Sequence, residues 1–287
     1  MSAAELTQIT SVAAPRRIRS RFLRSELRLI FGRRRNQLAL TVLGLPPIAI
    51  AIAVRTSLSQ PGSEAPTFFS SIAGNGLFVA LAALTVEMAM LLPLATSIVS
   101  GDSVAGEANS GTLRYLLTVP VGRLRLLFVK YAGIAVFALA ATLVVALTGV
   151  LIGVILFGGG SMTLLSGNQI GSASGLVRVI GAALYLGAGM AALGAVGLFL
   201  STLTEQPIAA ALVTMVFSAG SLIMDQIPQL GALHPYLLVD HWSSFSDLFR
   251  YPILWTGVLH GLYVDLAYVV IAFLAAWARF SVKDITS

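Results

Sequence analysis

Six runs of nearly uninterrupted apolar residues dominate the chain, and the segments between them hold most of its charge. They fall near residues 37–58, 76–100, 126–157, 176–200, 207–227 and 257–280. A bilayer's hydrocarbon core is about 30 Å thick and a helix of about 20 apolar residues crosses it, so each run predicts one transmembrane helix. The third is long enough to begin outside the bilayer or to tilt within it. Pro46 and Pro47 in the first run and Pro93 in the second predict kinks or local unwinding within the span. Ala183, Gly187, Ala191 and Ala195 recur at four-residue spacing in the fourth run, a stripe that lets another helix backbone approach closely.

The arginine-rich segment before the first run has a different pattern. Arg17, Arg21, Arg24 and Arg28 share a narrow arc of a helical wheel, while Ile18, Phe22, Leu23, Leu27, Leu29 and Ile30 cover much of the rest. This predicts a helix lying in the membrane interface, its apolar side in the acyl boundary and its guanidinium groups on the phosphates of anionic lipid. A plain electrostatic anchor would use the same arginines.

Composition sharpens the membrane reading. Charged residues make up 10% of the 287-residue chain, against about 25% in a soluble domain, and mean hydropathy is +0.89. A water-soluble globule and a disordered chain are both excluded. With no cysteine there is no disulfide framework, thiolate nucleophile, Cys-ligated zinc or iron–sulfur cluster. The formal charge of +6 gathers at one end of an apolar chain, which favours lipid over nucleic acid as the acidic partner.

Fifteen of the 18 lysines and arginines fall before the first run, between or beside the second and third, or at and beyond the end of the sixth; Arg55, Arg178 and Arg250 are the exceptions. The positive-inside rule then puts both termini in the cytoplasm, in agreement with six spans. The expected organisation is an all-α integral membrane protein of the cell membrane. Residues 1–36 form a cytoplasmic N-terminus with the interfacial helix, 37–280 a six-helix domain with an elbow at 101–125 and an outer segment at 228–256, and 281–287 a cytoplasmic tail.

Candidate chemistry is sparse. Neither lysine, Lys130 or Lys283, stands in a phosphate-binding loop of the G-x-x-x-x-G-K-[ST] kind, so no ATP site of that type is encoded. His234, His241 and His260 lack the spacing of metal ligands on one helix. Glu87 and Asp265, by contrast, lie inside predicted spans. A carboxylate near mid-bilayer costs about 3 kcal/mol or more on insertion scales, so each should face a cavity, a partner or the other. The two could relay protons or bind ions in a secondary transporter or channel, or simply bond to a neighbouring helix.

Between the second and third runs the sequence turns sharply. Ser110 or Thr112 is placed to cap a short helix whose Leu113, Leu116 and Leu117 face the membrane, and Pro120 with Gly122 returns the chain to the third run. This is an elbow with its charges toward the cytoplasm. The order Glu107, Gly111-Thr112-Leu113, Leu116-Leu117, Pro120, Arg123 and Lys130 resembles the permease subunits of ABC exporters of type 2, as do the six runs and the basic helix before them. The resemblance implies a permease without a cofactor of its own, paired with a second permease and with separate ABC ATPase subunits that hold ATP and magnesium. It further implies that Asp102, Glu107, Gly111, Thr112, Arg114, Pro120 and Arg123 belong to a coupling element docked on the ATPase, and that the second span, with Glu87, borders the transport pathway.

Overall fold

Proline decides where the first two spans bend. The computed structural model describes residues 18–58, 75–111, 122–164 and 166–282. Its first helix, α1 (Ile18–Gly32), is followed by α2 (Arg34–Leu43) and α3 (Leu45–Leu58). Pro46 and Pro47 offer no N–H to the carbonyls of Val42 and Leu43, and the helix is interrupted at Gly44, just before them. In the second span, α4 (Leu77–Met88) and α5 (Leu91–Asn109) meet at an angle of 56°. Pro93 leaves the Ala89 carbonyl without its helical donor, and Met90 departs to φ −144°. Both interruptions fall where the prolines predict them.

The remaining helices are α6 (Arg123–Phe157), α7 (Ser172–Leu203), α8 (Pro207–Asp225) and α9 (Trp255–Val282). Among the described residues, Arg34–Ser57, Arg123–Phe157, Ser172–Leu203, Pro207–Asp225 and Trp255–Ser281 are long and apolar enough to cross a membrane, and the bent α4–α5 pair makes a sixth if it is one span. Each coincides with one of the six apolar runs.

Small residues set the packing. In α7 72% of the apolar window is buried, against at most 33% in the other four unbroken candidate spans, so α7 is the central helix. Its stripe of Ala183, Gly187, Ala191 and Ala195 is buried, and a Cβ on Gly187 would stand 2.7 Å from Leu139 Cδ2 of α6. Helix association in lipid gains little from the hydrophobic effect and depends on such close contact. Residues Gly76 and Gly153 carry this furthest: their backbones touch, and a Cβ on either would overlap the other's carbonyl.

Two connections depart from a purely helical chain. Between α6 and α7, Met162–Thr163 pairs antiparallel with Gln169–Ile170, and Gly167 takes a positive φ at the turn. Between α8 and α9, three 3₁₀ turns at Pro228–Leu230, His234–Tyr236 and Asp240–Phe249 bury Leu238, Trp242, Phe245 and Phe249 against the bundle. Arg178 donates to the carbonyls of Leu248 and Arg250. The Tyr185 hydroxyl donates to the His241 carbonyl at 2.7 Å. The segment is therefore a packed cap on one end of the bundle.

The Gly76–Gly153 contact leaves no room for a side chain. Gly153→Ala is expected to destabilise the protein by about 1–3 kcal/mol, the usual cost of overpacking. Leu151→Ala, at a position 65% exposed on the same helix, should stay within about 0.5 kcal/mol of the parent. Thermal unfolding in detergent checks both, and an unchanged midpoint for Gly153→Ala would contradict the contact.

Candidate functional site

The arginine-rich end of the bundle is built around α1. Its last carbonyls have no helical donors and are met by side chains from α2: Asn36 Nδ2 donates to Ile30 O and Gln37 Nε2 to Phe31 O, each at 2.9 Å. These two bonds fix the corner between α1 and α2. One face of α1 then packs on α6, where a Cβ on Gly133 would lie 2.7 Å from Ile30 Cδ1 and the Phe31 and Phe137 rings stand 6.0 Å apart. Arg24 and Arg28 point outward and are exposed. Arg17 and the Arg21 side chain lie outside the described residues.

Glu26, on the packed face, reaches a buried ion cluster. Lys130 of α6 is 2% exposed, and its Nζ donates to Glu107 Oε1 of α5 at 2.6 Å, with Glu26 Oε1 at 3.5 Å. One step along α5, Asp102 pairs with Arg33 and, at 3.1 Å, with Arg35. A small cavity lies between the two groups, lined by Glu26, Arg33, Asn36, Asp102, Ser103 and Glu107. Three cations and three carboxylates from four helices thus close on one another. Removing one partner of a buried pair leaves an uncompensated charge, so the cluster holds its helices in one arrangement.

The end of α5 is also pinned from its other side. Ser201 of α7 donates its hydroxyl to the Gly101 carbonyl at 2.7 Å and accepts from the amides of Val104 and Ala105 at 3.1 and 2.8 Å. A Cβ on Gly101 would meet the Ala211 nitrogen of α8 at 2.6 Å. Gly111, with φ +69°, ends the helix.

The residues expected in the elbow separate into three groups. Asp102 and Glu107 belong to the ion cluster: the Glu107 side chain is 13% exposed and turned toward Lys130, so it faces its own chain. Arg123 stands at the start of α6 and donates to the carbonyls of Phe280 and Ser281, capping the end of α9. Thr112, Arg114 and Pro120 lie outside the described residues. Glu26, Arg33 and Arg35 were not singled out as site residues from sequence, although Glu26 is the one acid in the segment from Arg16 to Arg35, and that isolation was a usable signal.

The two acids within spans are not brought together. Glu87 is 0% exposed, and neither of its oxygens has a hydrogen-bond partner among the described residues. It sits three residues before the Met90 bend. Asp265 of α9 is buried on the other side of the bundle, where Gly189 of α7 leaves space that Trp242 and the Asp265 carboxylate enter from opposite elements.

Replacing Lys130 by Met strands two carboxylates, and the expected loss is about 3–5 kcal/mol. Neutralising the cluster as a whole with Glu26→Gln, Glu107→Met and Lys130→Met should recover most of it. Detergent unfolding of the single and triple variants reads the difference; a loss below about 1 kcal/mol for Lys130→Met would place the pair among weak surface bridges.

Comparison with known proteins follows the same outline. A family model described as ABC-2 family transporter protein matches residues 32–221, about two thirds of the chain, from the α1 terminus through α8. Over 64 residues the chain is 39% identical to the probable ABC transporter permease protein NosY of Pseudomonas aeruginosa, a stretch that covers 22% of this chain and 23% of that protein. The chain thus matches less than a quarter of that relative's length.

Proposed function

The chain belongs to the ABC-2 family of transporter proteins, and we propose that it is the membrane-spanning permease subunit of an ATP-driven exporter. In this reading two permeases pair with two separate ATPase subunits, which bind ATP and magnesium, and this chain contributes the path across the membrane. The arginine-rich end faces the cytoplasm, as the distribution of basic residues favours. Alternating access then follows from a push delivered at that end.

The observation that carries the proposal is the ion cluster. Residues 112–121 join α5 to α6, and charge on either side of that segment ties both helices to the α1–α2 corner and to each other: α5 through Asp102 on Arg33 and Glu107 on Lys130, α6 through Lys130 on Glu26. A force applied to the connecting segment therefore enters α1, α5 and α6 together. Glu107 and Asp102 serve as struts inside the permease, while Thr112, Arg114 and Pro120 form the surface offered to the ATPase. Arg123 extends the linkage to α9 through the capped carbonyls of Phe280 and Ser281. The exposed arginines of α1 rest on anionic lipid.

A secondary transporter is the second reading, favoured by Glu87, whose buried carboxylate has no hydrogen-bond partner among the described residues. It assigns no work to the linkage around the elbow, which the exporter does.

Orientation is tested with single cysteines, since the native chain has none. A cysteine at position 240 should react with an impermeant maleimide in intact cells, and one at position 110 only after permeabilisation. The reverse pattern would invert the topology. Coupling is tested with Arg114→Glu. The variant should insert normally, yet transport per ATP should fall several-fold or the ATPase should dissociate at lower salt, because a charge-assisted contact of about 1.5–3 kcal/mol is lost. Transport driven by a proton gradient with no ATPase attached would overturn the exporter reading in favour of the second.

A further inference from the structure

Beside the ion cluster, and lined in part by Arg35, a groove of about 390 Å³ runs between α5 and α8. Its walls are apolar: Leu94 and Ile98 of α5, and Ile208, Ala211, Leu212 and Met215 of α8. Arg35 is the charged residue lining it, and its side chain is 51% exposed. The volume lies in the range of small-ligand sites, about 300–1,000 Å³.

Arg35 belongs to a run of unbalanced charge. Arg33, Arg34 and Arg35 are all exposed, and among the described residues Asp102 is the carboxylate that Arg33 and Arg35 share. Asp102 contacts Arg35 through Nη2, whereas a guanidinium carries five N–H donors in a fixed fork suited to phosphate. A cation beside an apolar trough at the end of two membrane helices matches an amphiphile with an anionic head and a hydrocarbon tail. A second copy of this chain matches it less well: an isologous contact at this face would bring a second set of the same arginines to the same place.

We propose that this groove is a binding site for one anionic phospholipid of the leaflet on the arginine side, its phosphate on Arg35 and one acyl chain along Leu94, Ile98, Ile208 and Leu212. The site deepens the function proposed above by naming a lipid held at the joint between α2, α5 and α8, and it rests on the reading of the chain as a membrane permease.

The test is native mass spectrometry of the full chain, purified without any ATPase and supplied with dioleoylphosphatidylglycerol or dioleoylphosphatidylcholine at equal concentration. One phosphatidylglycerol should be retained roughly tenfold more strongly than phosphatidylcholine, the size expected of one charge-assisted phosphate contact. Arg35→Gln should erase the preference and Arg35→Lys restore part of it, while Arg55→Gln, exposed at the other end of the first span, should leave it intact. Leu212→Trp fills the groove from an exposed position and should abolish retention even if Arg35→Gln disturbs folding. Equal retention of the two lipids, or a preference that survives Leu212→Trp, would overturn the site. So would a Leu212→Cys protein that forms disulfide-linked dimers at a yield phosphatidylglycerol does not reduce, since a second copy would then fill the groove. Because no ATPase is present, lipid binding without ATP-driven transport would keep this site and discard the exporter, and the converse would do the opposite.

Discussion

Lys130 sits about two turns into α6 with 2% of its surface exposed, and an ammonium removed from water stays charged only where oxygens replace its hydration. Glu107 and Glu26 supply those oxygens from two other helices. Much of the arginine-rich end follows from that requirement. Glu26 must be on α1 and must face inward, so α1 packs on α6 and cannot lie wholly in lipid. With α1 so placed, Arg33 and Arg35 reach Asp102, and the Asn36 and Gln37 caps hold the corner that makes both contacts possible. The replacement of any one charge is felt by the others because a half-satisfied buried network is worse than an apolar one.

The rest of the bundle is held by shape. Glycine and alanine allow α7 to serve as the centre, with α6 against Gly187 and Gly194 and α5 against Gly197. Lipid tails are as apolar as leucine, so large side chains are spent on the outside, where Ile208, Val216 and Ile271 are exposed, and small ones on the inside. This is the reverse of a soluble core. Polar atoms inside the bundle mostly turn back on the helix backbone, as Thr142 does on the Ala138 carbonyl and Thr214 on the Ala210 carbonyl, which satisfies them without a partner helix.

These two kinds of force differ in how plainly they are written in the sequence. The spans were legible because a membrane demands long apolar runs whatever they pack against, and the bends were legible because Pro46, Pro47 and Pro93 remove specific donors. The buried stripe of α7 was legible from four-residue spacing alone. Pairing was not: Glu26, Glu107 and Lys130 are separated by 81 and 23 residues, and no local pattern says that they meet. The same holds for Arg123, which from its position beside an elbow reads as a surface charge yet bonds to carbonyls of α9 some 157 residues away. The cap between α8 and α9 was anticipated as a segment but not as a packed one, because 3₁₀ turns leave no periodicity to read.

The division of the second span gives these observations a common direction. Its first half, α4, is fixed to α6 by Gly76 against Gly153 and Ala80 against Gly149. Its second half, α5, is fixed to α6, α2, α7 and α8 through Lys130, Asp102, Ser201 and Gly101. The two halves share α6, at opposite ends of it, and α5 alone is tied to α2 and α8; they join at a bend where the Ala89 carbonyl has already lost its helical donor to Pro93. Any displacement of α5 relative to α4 is absorbed there at least cost, because no intact helical bond at that carbonyl has to break. Glu87 lies on the last turn before the joint, buried and unbonded among the described residues. A carboxylate with no partner is costly in one packing of the helices and is relieved by any other that gives it one. In the proposed transporter that cost falls on the resting arrangement of the second span, so the residue least explained by the static structure is placed where a change of packing would act on it first.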